Sequence, residues 1–238
     1  MLNYYIGMIQ KQAIFTLLGG RVKIMRGIYN PTSDAVWLAA LAADLHAKSV
    51  LDIGVGTGGA ILCFLAHQPD IKTVTGIDIS EQMLAECEQN AKLNNRNIEL
   101  VHADIMSWRP ARTFDLVITN PPYFRGTPAH HNAHHNADIT KWIKRATARV
   151  RPHGTICIII DSMVLANVVA TLSESACGDI NVFPLFSKKD TAERVLISAR
   201  VGTNGISTLH RGLDMNCDLV LRDGLTIAQT LSKLGQKW

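Results

Sequence analysis

The apolar residues of this chain fall into short continuous runs that alternate with longer segments of helical period. Runs rich in Val, Ile and Leu are typical of buried strands; they cover residues 49–53, 73–79, 98–103, 114–119, 155–160, 181–186 and 194–201. Segments of helical period lie between them at 35–46, 60–66, 81–94, 139–150 and 162–176. This alternation predicts an α/β fold with a doubly wound, seven-stranded sheet, mostly parallel, with an antiparallel edge strand.

The first thirty residues stand apart from this pattern. Gly19-Gly20 marks a turn, and residues 21–25 alternate between polar and apolar side chains as a strand does. We therefore expect an N-terminal hairpin or cap over residues 1–30 and one main domain over residues 31–238. Residues 202–238 are less regular, with a helix expected at 226–233.

Composition narrows the class of protein. A chain of 238 residues, 47% hydrophobic, buries one sizeable core. Its net charge of +4 permits an anionic partner such as RNA without requiring one. Five scattered cysteines indicate reduced, mostly buried thiols and a cytoplasmic protein. No apolar run reaches the ~18 residues of a membrane span, and no basic region precedes the N-terminal apolar residues, so we expect neither a membrane association nor a signal peptide.

The stretch Asn120-Pro121-Pro122-Tyr123-Phe124 follows the strand predicted at 114–119. The two prolines end that strand because neither has an N–H for the sheet ladder. The resulting stiff loop presents a side-chain amide, backbone carbonyls and an aromatic ring together. Such a set suits a planar group that carries an NH2, although an ordinary strand-ending turn has the same local sequence.

A glycine-rich turn joins the first predicted strand of the main domain to its helix. Gly54, Gly56 and Gly58 alternate there, and glycine lets the backbone approach a ligand closely. No Gly-Lys-Ser/Thr ending follows, which disfavours ATP hydrolysis. Asp78 and Asp104 end the next two strands, where the sugar and base of a nucleoside cofactor would lie.

The segment after the Asn-Pro-Pro stretch carries four histidines: His130, His131, His134 and His135. No Cys, Asp or Glu lies among them to complete a ligand set, so we expect a substrate-facing loop over residues 125–137 and no metal.

Basic residues follow the histidines in the helix expected at 139–150. Lys141, Lys144, Arg145 and Arg149 fall near one helical face. This face either meets RNA phosphates or is simply solvated.

Taken together, these motifs resemble class I S-adenosyl-L-methionine-dependent methyltransferases, which have a Rossmann-like fold. The resemblance covers roughly residues 30–201 and is closest to bacterial tRNA adenine-N6 methyltransferases acting beside the anticodon of a valine tRNA. It implies a set of cofactor-binding residues: Asp34, Asp52, Gly54, Gly56, Gly58, Asp78, Ile79, Asp104, Ile105 and Asn120. One departure is Ala133-His134-His135-Asn136, where that family often has an Ala-Arg-His-Glu-like segment.

The resemblance also implies the chemistry: transfer of the sulfonium methyl to an exocyclic amine. Asn120 Oδ1 and the Pro121 carbonyl would accept the hydrogens of the amine, and Tyr123 would stack on the base. The remaining substrate-binding residues would be Pro122, Phe124, His134 and His135. We expect a monomer with a tRNA substrate.

Two other functions are compatible with the same motifs. A protein glutamine methyltransferase also presents an Asn-Pro-Pro-Tyr stretch to a planar NH2, although such enzymes usually carry a larger N-terminal helical domain. A non-catalytic RNA-binding protein could retain the fold, but the intact glycine loop, both aspartates and Asn120 argue against it. Duplex DNA is a further substrate for such chemistry, yet no separate target-recognition domain is evident.

Overall fold

A computed structural model describes residues 13–27, 29–122 and 132–236 of the chain, without the side chains of residues 132–138. The strands are β1 (Ile14–Leu17), β2 (Val22–Met25), β3 (Ser49–Ile53), β4 (Thr73–Asp78), β5 (Glu99–His102), β6 (Phe114–Thr119), β7 (Val150–Asp161), β8 (Cys177–Phe186), β9 (Arg194–Val201), β10 (Thr208–Leu209) and β11 (Leu213–Asp214). The α-helices are α1 (Ser33–Ala42), α2 (Gly59–His67), α3 (Glu81–Leu93), α4 (Asn132–Thr147), α5 (Leu165–Glu174), α6 (Asp218–Leu221) and α7 (Ile227–Lys233).

The central sheet has the strand order β10-β8-β9-β7-β6-β3-β4-β5, with β11 also pairing with β8. The pairs from β7 through β6, β3 and β4 to β5 are parallel. The predicted α/β fold with a mostly parallel sheet is confirmed, and its seven long strands match the seven expected. The two-residue strands β10 and β11 add to them.

The antiparallel strand does not lie where we expected it. We expected it at the edge, but β9 lies between β7 and β8 and is antiparallel to both. The reason is that β8 and β9 form a hairpin whose second strand returns beside β7. There the apolar side chains of Val195, Leu196 and Ile197 become fully buried, which is the more favourable place for a continuous apolar strand.

Helices cover both faces of the sheet, as a doubly wound fold requires. On one face, α1, α2 and α3 pack into a core cluster that also contains Val22 and Ile24 of β2. On the other face, Ile143 of α4 and Val168 of α5 pack against the opposite side chains of the same strands. The site described below therefore lies on a sheet that is fixed from both sides.

The N-terminal strands β1 and β2 form an antiparallel hairpin, as expected from residues 21–25. Two asparagines hold it in place, Asn90 in α3 and Asn94 directly after the end of α3. Asn94 Oδ1 accepts from Lys23 N at 2.8 Å, and Asn94 Nδ2 donates to Lys23 O at 2.6 Å. Asn90 Oδ1 accepts from Met25 N at 2.9 Å. A domain boundary near residue 30 stays a prediction, because the hairpin shares its core with α3.

The C-terminal residues 202–236 pack against the end of the fold that α1 occupies. Trp37 Nε1 donates to Met215 O at 3.0 Å, and Ala228 N donates to Asp44 Oδ2 at 2.9 Å. All five cysteines are free, and four of them are buried, in agreement with the expected reduced thiols. Within the described residues, no helix is long and apolar enough to cross a membrane.

Candidate active site

The glycine turn between β3 and α2 has a backbone that only glycine adopts easily. The φ angles of Gly54, Gly56 and Gly58 are 75°, 53° and 90°, in the left-handed region that disfavours a side chain. Gly54 N and Val55 N both donate to Ile77 O, at 2.9 and 3.0 Å. Among the described residues, a Cβ added to Gly56 would approach only Gly54 O, at 4.0 Å. The turn is therefore anchored to β4 and leaves open space in front of Gly56.

Asp78 braces the same turn from the end of β4. Its Oδ2 accepts from Gly56 N and its Oδ1 from Ser80 N, both at 2.9 Å. Sequence reasoning gave Asp78 only a role toward a ribose. The structure gives it a second role, because the carboxylate fixes the position of the central glycine. The ribose contact stays a prediction.

Asp52 lies beneath the turn and is 2% exposed. Its Oδ2 has no hydrogen-bond partner within the described part of the chain. Burial, and then the nearby Asp78 carboxylate, raise the pKa of Asp52 to about 8, although the Ile61 N–H favours the charged form. Asp52 is thus buried beneath the turn, and its raised pKa favours a protonated carboxyl group.

Asn120 begins the segment that follows β6, directly beside the glycine turn. Ile53 and Thr119 are paired in the parallel ladder of β3 and β6, so Gly54 and Asn120 are the next residues of two adjacent strands. Asn120 Oδ1 is buried and accepts no hydrogen bond from any described residue. Such an orphaned acceptor is costly unless a ligand donates to it.

Trp142 of α4 was missed by the sequence analysis. Its Nε1 donates to Thr119 Oγ1 at 3.0 Å, and Thr119 Oγ1 donates to Ile53 O at 2.8 Å. Its ring lies 3.4 Å from the place of a Cβ on Gly54. Trp142 therefore fixes the ends of β3 and β6 relative to α4. Its sequence position within a helical pattern carried no signal of this contact.

The far side of the site is formed at the ends of β4 and β5. Asp78 and His102 are paired in register, so Ile79 and Asp104 follow on neighbouring strands. Asp104 Oδ1 accepts from Met106 N at 2.9 Å, which makes Asp104 the first residue of a turn. Ile105 is buried, whereas Ile79 is 68% exposed and offers an apolar surface beside Asp78.

Asp34 occupies a different environment from the other predicted cofactor residues. It is 4% exposed, and its Oδ2 pairs with Arg194 Nε at 3.1 Å. Arg194 also reaches Asp161 at 3.3 Å. This ion-pair group joins α1, β7 and β9 at the same edge of the sheet. The observed contact of Asp34 is one that braces this edge, and its cofactor contact stays a prediction.

Several predicted substrate residues lie outside what the structure describes. This group contains Tyr123, Phe124 and the side chains of His134 and His135. The expected loop over 125–137 is wrong for its second part, because α4 begins at Asn132. The last helix-breaking residue before it is Pro128, so the chain after that point can enter a helix.

A family comparison and the geometry lead to the same class of protein. The family model described as "Methyltransferase small domain" matches residues 32–178, more than half of the 238 residues. The chain belongs to the methyltransferase small domain family. The matched segment of this methyltransferase domain runs from the start of α1 to the start of β8 and includes the glycine turn, Asp78, Asp104 and Asn120.

Two relatives and one solved structure illustrate the range of similar proteins. A protein from Glaesserella parasuis named tRNA1(Val) (adenine(37)-N6)-methyltransferase is 31% identical over 139 residues, which are 54% of this chain and 57% of the relative. A candidate protein N5-glutamine methyltransferase from Methanocaldococcus jannaschii is 33% identical over 110 residues, 46% of this chain and 54% of the relative. The chain therefore spans about half the length of the curated relatives it matches.

The solved structure is that of a predicted O-methyltransferase from Agrobacterium tumefaciens. It superimposes with a TM-score of 0.64 at 24% identity, covering 77% of this chain and 88% of the other. This similarity confirms the fold of the methyltransferase domain and nothing finer.

The residues present fit S-adenosylmethionine, the cofactor that the fold implies. The open space in front of Gly56 admits a ligand against the backbone. The exposed apolar side chain of Ile79 and the acidic Asp104 flank that space on the side where a nucleoside base would lie.

Proposed function

We propose that this chain is an S-adenosylmethionine-dependent N-methyltransferase that acts on the N6 amine of an adenine in RNA, in a tRNA near its anticodon. The observation that carries the proposal is the orphaned Oδ1 of Asn120 beside the glycine turn. A buried amide oxygen with no donor among the described residues suits an NH2 group, whereas a hydroxyl or thiol acceptor would supply at most one hydrogen.

The chemistry follows from that placement. An exocyclic amine is a poor nucleophile because its lone pair is delocalised into the ring. Asn120 Oδ1 and the carbonyl of Pro121 accept its two hydrogens and turn the lone pair out of the ring plane, toward the methyl group. The cofactor supplies an activated methyl on a positively charged sulfonium. Transfer would break the sulfur–methyl bond, leave a neutral thioether, and be followed by loss of one proton from the nitrogen to solvent. Because the neutral amine attacks before it loses that proton, correct positioning contributes more than a strong base.

The target base must leave its stack to reach Asn120. A base in an RNA loop is already partly unstacked, so its extrusion costs little free energy. Tyr123 is the residue assigned to stack on the base, an interaction worth ~1–3 kcal/mol. A tRNA substrate also supports a cytoplasmic location for the protein.

Relatives support adenine over a protein amide. Besides the Glaesserella parasuis protein, relatives from Vibrio cholerae and Proteus mirabilis carry the same tRNA methyltransferase name. The glutamine methyltransferase relative matches a shorter part of this chain. It remains the second candidate function, since a glutamine side chain ends in the same planar NH2 that Asn120 would accept.

The test is a transfer assay with methyl-labelled cofactor and three separate acceptors: total tRNA, a release factor, and duplex DNA. The Asn120→Ala variant serves as the background for each acceptor. We expect label in tRNA, recovered as N6-methyladenosine after digestion. Label in the release factor and none in tRNA would replace this proposal with protein glutamine methylation. Cofactor binding without transfer to any acceptor would indicate a non-catalytic protein.

A further inference from the structure

Two arginines, Arg109 and Arg149, converge on Trp108 at the side of the sheet that α4 covers. Arg109 Nη1 donates to Trp108 O at 2.9 Å, and Arg149 Nη2 donates to the same oxygen. The guanidinium of Arg149 lies over the Trp108 ring, 5.9 Å from its centroid. Arg145 precedes Arg149 by four residues and is exposed. Two positive groups thus share one carbonyl oxygen, with a third beside them.

This cluster of Arg109, Arg145 and Arg149 contains no carboxylate. Within the described residues none of the three forms an ion pair, whereas the chain pairs Arg112 with Glu99 and Arg151 with Asp115. The nearby acids are engaged elsewhere. Glu174 pairs with Lys144 at 3.0 Å, and Asp104 Oδ1 accepts from Met106 N at 2.9 Å.

The arrangement is unfavourable for the protein alone. Arg149 is 6% exposed, and its Nε has no hydrogen-bond partner among the described residues. Burial lowers the pKa of Arg149, and the charges of Arg109 and Arg145 lower it further. The Trp108 ring and the carbonyl end of α4 offset part of the cost of burying this charge. A buried charge normally has a counter-charge, and the described residues provide none here.

The position of the cluster relates it to the candidate active site. Trp108 ends the turn that Asp104 begins, since Trp108 N donates to Asp104 O at 2.8 Å. On the other side, Phe114 N donates to Arg149 O at 2.9 Å, so Arg149 lies beside the start of β6, whereas Asn120 follows the end of the same strand. At ~3.3 Å per residue the length of β6 separates the two by about 20 Å. An RNA strand whose base reaches Asn120 would therefore contact the arginines through a phosphate a few nucleotides away from the target.

We propose that Arg109, Arg145 and Arg149 form a binding site for a backbone phosphate of the RNA substrate. A phosphate accepts hydrogen bonds from several guanidinium groups at once and provides the missing negative charge. This inference rests on the proposed function. It also changes the basic surface expected from the sequence. Lys144 forms an ion pair with Glu174, and Arg149 is buried. Arg109, which lies in a loop, replaces Lys144 as a member of the basic cluster.

The test compares two double variants that remove the same net charge. Arg109→Gln with Arg145→Gln removes the two exposed members of the cluster. Arg112→Gln with Arg151→Gln removes two arginines that already have carboxylate partners and is the control. We expect neither double variant to change the thermal stability much. Arg109 and Arg145 are exposed, and Arg112 and Arg151 form ion pairs at the surface with about half of their side chains exposed. Thermal denaturation of each variant verifies this.

The measurement is the dissociation constant for total tRNA over a series of salt concentrations. We expect the cluster variant to bind about tenfold more weakly and its log–log salt slope to fall by about 1, the effect of one lost phosphate contact. The control should change by less than about twofold, and cofactor affinity should not change in either. A cluster variant that binds tRNA like wild type, or a control that weakens equally, overturns the site.

Failure of the site and failure of the proposed function have different signatures. If the wild-type protein methylates tRNA and the two double variants behave alike, the phosphate site is wrong and the function stands. If the wild-type protein does not methylate tRNA, the proposed function is wrong, and the phosphate site falls with it.

Discussion

Asn90 is the residue whose replacement should reveal a link between the N-terminal hairpin and the cofactor turn. It is fully buried on α3. Its Nδ2 donates to Thr57 O, within the glycine turn, at 2.9 Å, and its Oδ1 accepts from Met25 N, in the hairpin, also at 2.9 Å. Asn90→Ala leaves both backbone groups without a partner. An unsatisfied buried group costs about 1–3 kcal/mol, so the loss of both partners should lower the unfolding free energy by about 2–6 kcal/mol.

Part of that loss should appear in cofactor binding, because Thr57 lies between Gly56 and Gly58. A loss of ~1.4 kcal/mol in the alignment of the turn corresponds to about a tenfold weaker dissociation constant. Urea denaturation gives the first quantity and isothermal titration with S-adenosylmethionine the second. The control is Asn94→Ala, which also loosens the hairpin at Lys23 but does not contact the turn. The reasoning is refuted if both variants bind the cofactor equally well, or if both weaken it equally.

Three further predictions concern the turn itself. Gly56→Ala should fold but bind the cofactor at least about tenfold more weakly, because the added Cβ enters the space expected to hold the cofactor and the φ of 53° disfavours a side chain. Gly58→Ala should mainly lose stability, because its Cβ would lie 2.9 Å from Cys87 Sγ. Equal thermal stability of the two variants would contradict this contrast. Asp78→Ala should raise the cofactor dissociation constant by about tenfold or more, through the lost Gly56 contact as well as any ribose contact; an unchanged constant by titration would argue against both roles. The third concerns pH. The pKa of Asp52 is raised from 3.8 to about 8, so the folded state holds a proton that the unfolded chain releases. Unfolding free energy of the cofactor-free protein should therefore fall as pH rises between those values, and Asp52→Asn should reduce this slope. An identical pH slope in wild type and variant, from urea denaturation, would show that Asp52 is charged in the fold.

The sequence predicted those features that depend on local pattern. Strands such as Phe114–Thr119 and Arg194–Val201 were placed at their observed limits, because continuous apolar runs have few alternatives in an α/β chain. The glycine turn was predictable because alternating glycines after a strand mark a backbone with positive φ. The place of Asn120 at the end of a buried strand was predictable because two prolines follow it, and its role in a site stays a prediction.

Features that depend on contacts between distant segments were not predictable. Asn90 is polar and lies in an amphipathic helix, so pattern alone places it at the surface, yet it is fully buried between the hairpin and the turn. Arg109 and Arg149 are 40 residues apart in sequence and meet at one carbonyl oxygen. The inner position of β9 likewise follows from how the β8–β9 hairpin folds back, which no local pattern encodes.

The central claim is that Asn120 positions an amine acceptor and leaves the cofactor site intact. The most direct measurement is single-turnover methylation of total tRNA by Asn120→Ala, beside calorimetric titration of the same variant with S-adenosylmethionine. We predict a rate at least about 100-fold below wild type, in the range for loss of one preorganised catalytic contact, with the cofactor dissociation constant within about twofold of wild type. A wild-type rate, or a loss of rate explained by a collapse of cofactor affinity, would contradict the claim.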